Sequence, residues 1–136
     1  MAAKVPESHV DLLERPVFVS LATVNPNGQP QVTPVWATWD GHNVIVNTAR
    51  GRQKDRNMQA NPHVTVLAID PENPYRYLEI RGRVVEMDEK TGLDVINQLS
   101  AKYRGNPDYY APYPERRGME QRVTVKIEPE KVNANG

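Results

Sequence analysis

A mainly β chain with minor α content, folded as a small antiparallel barrel of about six strands with one substantial helix, is what this sequence predicts. Three observations carry that expectation. β-branched and aromatic residues gather in short segments separated by turn residues, and only one stretch, late in the chain, sustains a helical apolar period. There is also no Gly-x-Gly-x-x-Gly and no Gly-Lys-Ser/Thr phosphate loop of the kind that accompanies a doubly wound parallel sheet. The 136 residues fit a single domain (1–136) that can bury a core unaided, with 1–9 and 129–136 expected as flexible tails.

Ser8 is placed to cap a short helix through Leu12 and Leu13 that Pro16 closes. Val17 to Val24 reads as a strand, Asn25-Pro26-Asn27-Gly28 as its turn, and Gln31 to Trp39 as the next β segment, which Asp40-Gly41 turns into a strand from Asn43 to Thr48. Pro34 cannot donate to a ladder, so it belongs at a sheet edge or a bulge. Asn57 to Pro62 reads as a helical turn, His63 to Ile69 as a buried strand, and Asp70 to Pro74 as a proline-rich loop. A long strand spans Tyr75 to Met87, with Gly82 marking a bulge or barrel bend. Leu93, Ile96, Leu99 and Tyr103 give Glu89 to Tyr103 a core-facing helical stripe, which Gly105 ends. Asn106 to Gly118 is irregular and rich in tyrosine, either a lid or a packed loop at a subunit seam. Arg122 to Glu128 alternates as a final strand.

Without cysteine, thiol catalysis, thiolate metal sites and disulfide bracing are absent. His9, His42 and His63 lack metal-site spacing, and Asp40 and Asp70 sit in turns where aspartate serves the local backbone. No catalytic residue and no metal ligand is therefore expected. The N-terminus has no signal-like apolar core and no stretch reaches membrane-spanning length, so the expectation is a soluble cytoplasmic protein with no membrane partner. Basic and acidic residues balance at 17 each, which argues against a nucleic-acid partner. The basic run also lacks neighbouring aromatics on which bases could stack.

Within that neutral chain, Arg50, Arg52, Lys54 and Arg56 fall at alternate positions directly after a strand. Such a run is either a solvated loop or an anion site, and phosphate groups favour strand-to-helix junctions. An extended run would align all four cations, whereas a helix would split them, so two or three are expected to touch a ligand together.

The ordered series Pro26 to Trp36, Trp39-Asp40-Gly41, Asn47 to Asn57, Asn61-Pro62, Asp70 to Tyr77 and Arg81-Gly82 resembles the pyridoxamine 5'-phosphate oxidase-like superfamily, and within it the deazaflavin-dependent branch. The likeness spans about residues 10–128. It implies a six-stranded split β-barrel of the FMN-binding type, a homodimer with the cofactor in a groove between subunits, and coenzyme F420 as ligand. It also implies an oxidoreductase that passes hydride to an activated double bond of a small conjugated substrate. Flavin mononucleotide (FMN) is the alternative cofactor, and a non-catalytic cofactor-binding protein the alternative role. By this resemblance Arg52 and Lys54 meet the phosphate or acidic tail, Arg50 and Arg56 add charge, and Asn57 fixes the turn. Gln31, Thr33, Pro34 and Val35 line the ring, as do Asn47, Thr48 and Ala49. Tyr75, Tyr77 and Arg122 reach the groove, the partner subunit being their source. The sequence departs from some relatives in that two adjacent arginines do not open the last strand; only Arg122 holds that position.

Overall fold

The computed structural model describes residues 2–136. In chain order the elements are α1 (Asp11–Glu14), β1 (Val19–Val24), β2 (Pro30–Val35), β3 (Thr38–Trp39), β4 (Val44–Ala49), α2 (Gln53–Ala60), β5 (His63–Ile69), β6 (Tyr77–Asp88), α3 (Gly92–Arg104) and β7 (Arg122–Asn135). All seven strands join one antiparallel sheet in the order β2-β1-β5-β6-β7-β4-β3. The outermost strands, β2 and β3, are linked by Trp36 and Ala37 alone. Strands at opposite edges can be that close in sequence only if the sheet curls until its edges meet, which is what makes it a barrel.

The described residues thus form seven strands, not six. The expected segment from Gln31 to Trp39 breaks where the chain crosses from one edge to the other, and the backbone at the break leaves the ladder. The Ala37 amide donates to the Tyr103 hydroxyl at 3.0 Å, and its carbonyl accepts from Lys102 Nζ at 2.7 Å. Pro34 lies on the edge strand β2, opposite Ser20 of β1, where a missing amide costs no ladder bond. Gly82 sits at a register shift between β6 and β7, and a Cβ there would come within 2.7 Å of the Glu128 carbonyl.

The barrel interior is filled from alternate strand positions, among them Val19, Leu21, Val44, Val46, Val66, Leu78, Ile80, Val125 and Ile127, with Leu12 and Leu13 of α1 closing one end. α3 packs on β4 and β7. Ile96 and Leu99 are buried, but Leu93, assigned above to the same stripe, is 51% exposed because the helix also buries Gly92 and Ser100. Gly105 ends α3 in the left-handed region at φ 73°. No helix among the described residues is long and apolar enough to cross a membrane.

Within the described residues both expected tails, 2–9 and 129–136, are tied down, Met1 lying outside them. β7 runs past Pro129 to Asn135, paired with β6 on both sides of a bulge at Glu130, and the Ala3 amide donates to the Pro129 carbonyl at 2.8 Å. His9 is buried and its Nε2 bonds the Asn135 carbonyl at 2.8 Å. Ser8 does not cap α1; its hydroxyl meets His9 Nδ1 instead, and Val10 occupies the cap position with no side-chain bond.

Lys102 clamps the seam, donating to the carbonyls of Leu13 at 2.6 Å and Ala37 at 2.7 Å. Burial pushes its ammonium from 10.5 down to about 8. Between those two values the unfolded chain binds the proton more firmly than the folded one, so unfolding free energy should climb with rising pH across that window. Denaturant melts of the wild type and Lys102→Met from pH 8 to about 10.5 should show the climb in the wild type and a flatter profile in the variant. Parallel profiles would remove Lys102 from the pH response of the seam.

Candidate functional site: a cationic groove beside an aromatic wall

β4 passes into α2 through a tight turn in which Gly51 takes φ 93°, a conformation glycine adopts without steric cost. Asp55, almost fully buried, holds the turn from inside the helix. Its carboxylate accepts the Gly51 amide at 2.9 Å, Arg50 Nη1 at 2.8 Å and Gln59 Nε2 at 3.0 Å, as the third helical residue does when it reaches back beyond a helix start. Arg50 also meets Glu89 at 2.8 Å, so its charge is spent on the scaffold. Asn57 anchors α2 to the β1–β2 hairpin, donating to Thr23 Oγ1 at 3.0 Å and Asn25 Oδ1 at 2.8 Å.

The basic run is thus partly helical, and the helix divides its cations. Arg56 turns outward and bonds the Gly51 carbonyl and Gln53 Oε1. Arg52 and Lys54, at the start of α2, line a groove of about 250 Å³ together with Phe18, Pro34, Val35, Trp36, Asn47, Ile96, Leu99, Tyr109 and Arg122. No side chain caps α2 at Arg52, and the Asp55 carboxylate in its first turn offsets the positive end of the helix, so the groove's positive charge is that of its side chains.

Arg122 opens β7 and is only 4% exposed. Its Nε donates to Asn47 Oδ1 at 2.9 Å, and Asn47 Nδ2 donates to the Gly92 carbonyl at 2.9 Å. Only glycine fits at 92: a Cβ would lie 2.1 Å from the Arg122 carbonyl oxygen. The start of α3, Asn47 and Arg122 therefore form one positioned unit. The Arg122 guanidinium sits 5.1 Å from the Tyr109 ring centroid. Burial lowers its pKa, yet a guanidinium remains charged across any working pH.

Lys54 makes no hydrogen bond and no ion pair among the described residues. Burial first, then the nearby charges of Arg52 and Arg122, lower its pKa from 10.5. A half-buried ammonium held next to two guanidinia is stabilised by whatever anion enters.

Beside the cations, and meeting them where Arg122 packs on Tyr109, stands an aromatic wall. Trp36 stacks on Tyr103 with centroids 5.4 Å apart and meets Tyr109 edge-on at 5.9 Å. Arg104 lies 5.1 Å from the centroids of both Trp36 and Tyr109. Tyr109 is held through its amide, which donates to Asn97 Oδ1 at 2.9 Å.

Of the residues expected at a cofactor, Pro34, Val35, Asn47, Arg52, Lys54 and Arg122 converge on this groove. Gln31 instead meets Thr23 at 3.3 Å, Thr33 alternates with Pro34 on β2, and Thr48 and Ala49 are buried. Thr48 Oγ1 is the buried side-chain polar atom left without a partner among the described residues. Tyr75 is 80% exposed, and Tyr77 lies on the outer face of the sheet in a different cavity with Ser20, Ala22, Val32, Leu67 and Ile69. Phe18, Trp36, Ile96, Leu99 and Tyr109 join the groove without having been read as ligand contacts. Ile96 and Leu99 carried only a core signal, and Phe18 carried none beyond its strand.

The family model described as pyridoxamine 5'-phosphate oxidase matches residues 5–136. The chain belongs to the pyridoxamine 5'-phosphate oxidase family. A solved F420 reductase superposes on it with a TM-score of 0.82 at 39% identity, over 95% of this chain and 98% of that one. A conserved hypothetical protein from Mycobacterium tuberculosis superposes at 0.75 and 22% identity, over 98% and 86%. The haem storage protein HutZ from Vibrio cholerae does so at 0.69 and 17%, over 98% and 96%. The last two share the fold alone. None of the curated protein sequences matches the chain. Membership in the pyridoxamine 5'-phosphate oxidase family makes it oxidoreductase-like and fits a flavin-type cofactor.

Lys54→Ala should weaken an anionic ligand by about 1–3 kcal/mol, the range of one charge-assisted contact, while Arg56→Ala should leave binding unchanged. Because Lys54 titrates below its ordinary value, wild-type affinity should fall as pH rises through that depressed pKa, and the fall should vanish in Lys54→Ala. Calorimetric titration at fixed ionic strength reads both effects; equal losses in the two variants would contradict the division of the run by α2.

Proposed function

We propose that this protein is an F420-dependent reductase, with the cofactor's phosphate and acidic tail on Arg52, Lys54 and Arg122 and its planar ring against the aromatic wall. The observation that carries the reading is the Lys54 ammonium, unpaired among the described residues and set near two arginines, in a groove whose remaining lining is largely apolar. The 39% identity to a solved F420 reductase over nearly the whole chain supports it. The donor set suits a ligand that joins a polyanionic end to a flat, largely apolar ring.

Bound in its reduced form, such a cofactor supplies a hydride to an activated double bond. The chain's own part is to bind, orient and dry the site. Arg52 and Lys54 fix the anionic end, Asn47 and Gly92 keep Arg122 in register, and Phe18, Val35, Trp36 and Leu99 keep water from the ring side. No groove residue is placed for covalent chemistry.

The functional unit on this reading is a homodimer. At about 250 Å³ the groove is smaller than the ~300–1,000 Å³ of pockets that enclose a drug-sized ligand. It also adjoins an outer sheet face that leaves Val32 60%, Phe18 68% and Ile69 43% exposed, continuous with it because Pro34 in the groove pairs with Ser20 on that face. A second copy covering this face would complete the groove and bring Tyr75 and Tyr77 towards it.

Titration with F420 and, separately, FMN tests the proposal through fluorescence of Trp36, which borders the groove, with Trp36→Phe as control. Salt-sensitive quenching by F420 at lower concentration than FMN is expected, followed by oxidation of the reduced cofactor when a conjugated enone is added. Preference for FMN would shift the chemistry to flavin, and binding with no acceptor-dependent oxidation would make the protein a cofactor carrier.

A further inference from the structure

Glu120 follows the irregular segment, two residues before β7, and among the described residues it is the acid that reaches the groove's cations. One carboxylate oxygen accepts Arg52 at 3.0 Å and Arg116 at 3.1 Å; the other accepts the Tyr110 hydroxyl at 2.9 Å, with Arg122 at 3.5 Å. Its side chain is 17% exposed. Two donors on each oxygen is the coordination that a ligand's phosphate or carboxylate would take from the same side chains. The hydroxyl and the surrounding guanidinia lower its pKa against the opposing effect of burial, so it stays ionised at neutral pH.

The groove's cations are therefore divided: Arg52 is already engaged by an internal acid, and Lys54 has no partner among the described residues. We propose that Glu120 is a built-in competitor for the ligand's anionic group, holding Arg52 until an incoming phosphate takes it, and thereby a specificity-determining residue that sets how much negative charge a ligand must bring. A phosphate seated on Arg52 beside an intact Glu120 carboxylate places like charges within a few ångströms in a partly dry site, where they are poorly screened. A ligand with one weakly charged group gains little by that exchange. A polyanionic ligand, anchored first on the unpartnered Lys54, can displace the carboxylate. The inference rests on the reading of the groove as an anion site.

The test is calorimetric titration with inorganic pyrophosphate at constant ionic strength. Glu120→Gln should bind it about tenfold more tightly than the wild type, the worth of one charge-assisted contact near 1.4 kcal/mol. That gain should disappear when Arg52→Ala is combined with Glu120→Gln. Glu120→Ala should change affinity in the same direction, and thermal melts identify a variant that loses its fold. Weaker or unchanged pyrophosphate binding in both folded Glu120 variants, with Lys54→Ala still weakened, overturns the inference and makes Glu120 a positioning residue for Arg52. Unchanged binding in Lys54→Ala overturns the anion-site reading and the inference together.

Discussion

The two-residue link between β2 and β3 is the constraint on which the rest of the molecule depends. It joins opposite edges of one sheet, so the sheet must close on itself, and its backbone must find partners outside the ladder because a buried amide or carbonyl left bare is costly. α3 supplies those partners through Lys102 and Tyr103. The same Tyr103 ring stacks on Trp36, so the side chain that satisfies the seam also erects the wall of the groove. Closure of the barrel and construction of the site are one packing event.

The groove's electrostatics follow from how a neutral chain distributes its charge. Within four cations of one run, Arg50 is neutralised by Asp55 and Glu89, Arg56 bonds its own turn, Arg52 faces Glu120, and Lys54 remains unpartnered. The local excess is thus small but concentrated where Arg122 also contributes positive charge. The more exposed of these pairs, such as Arg50–Glu89, add little to stability. Their consequence is positional: they decide which cation is free for a ligand.

Much of the barrel was legible because strand alternation and turn chemistry are local signals. β5, and β6 as far as Val84, follow period-two burial; Pro34 pointed to an edge or a bulge and lies on an edge strand, and Gly82 pointed to a bulge or a bend and sits at a register shift. What was not legible depended on distant partners. α2 shows no apolar period because it buries Asp55, Asn57 and Met58; Asp55 is satisfied by its own turn and helix, and Asn57 by Thr23 and Asn25 of the β1–β2 hairpin. β7 continues beyond Pro129 because β6 is long enough to pair with it, and nothing in residues 129–135 alone says so. In the site, the cations could be read as a run, whereas Glu120 and Tyr109 arrive through the fold of an irregular segment and Phe18 through the curl of the sheet.

The claim that the cationic groove grips the phosphate end of a deazaflavin is tested most directly by comparing F420 with the same chromophore stripped of its phosphate and acidic tail, on wild type and on Lys54→Ala. The wild type should bind the complete cofactor far more tightly than the stripped one, and Lys54→Ala should lose much of that difference while binding the stripped chromophore as the wild type does. Equal wild-type affinity for the two compounds would contradict the account.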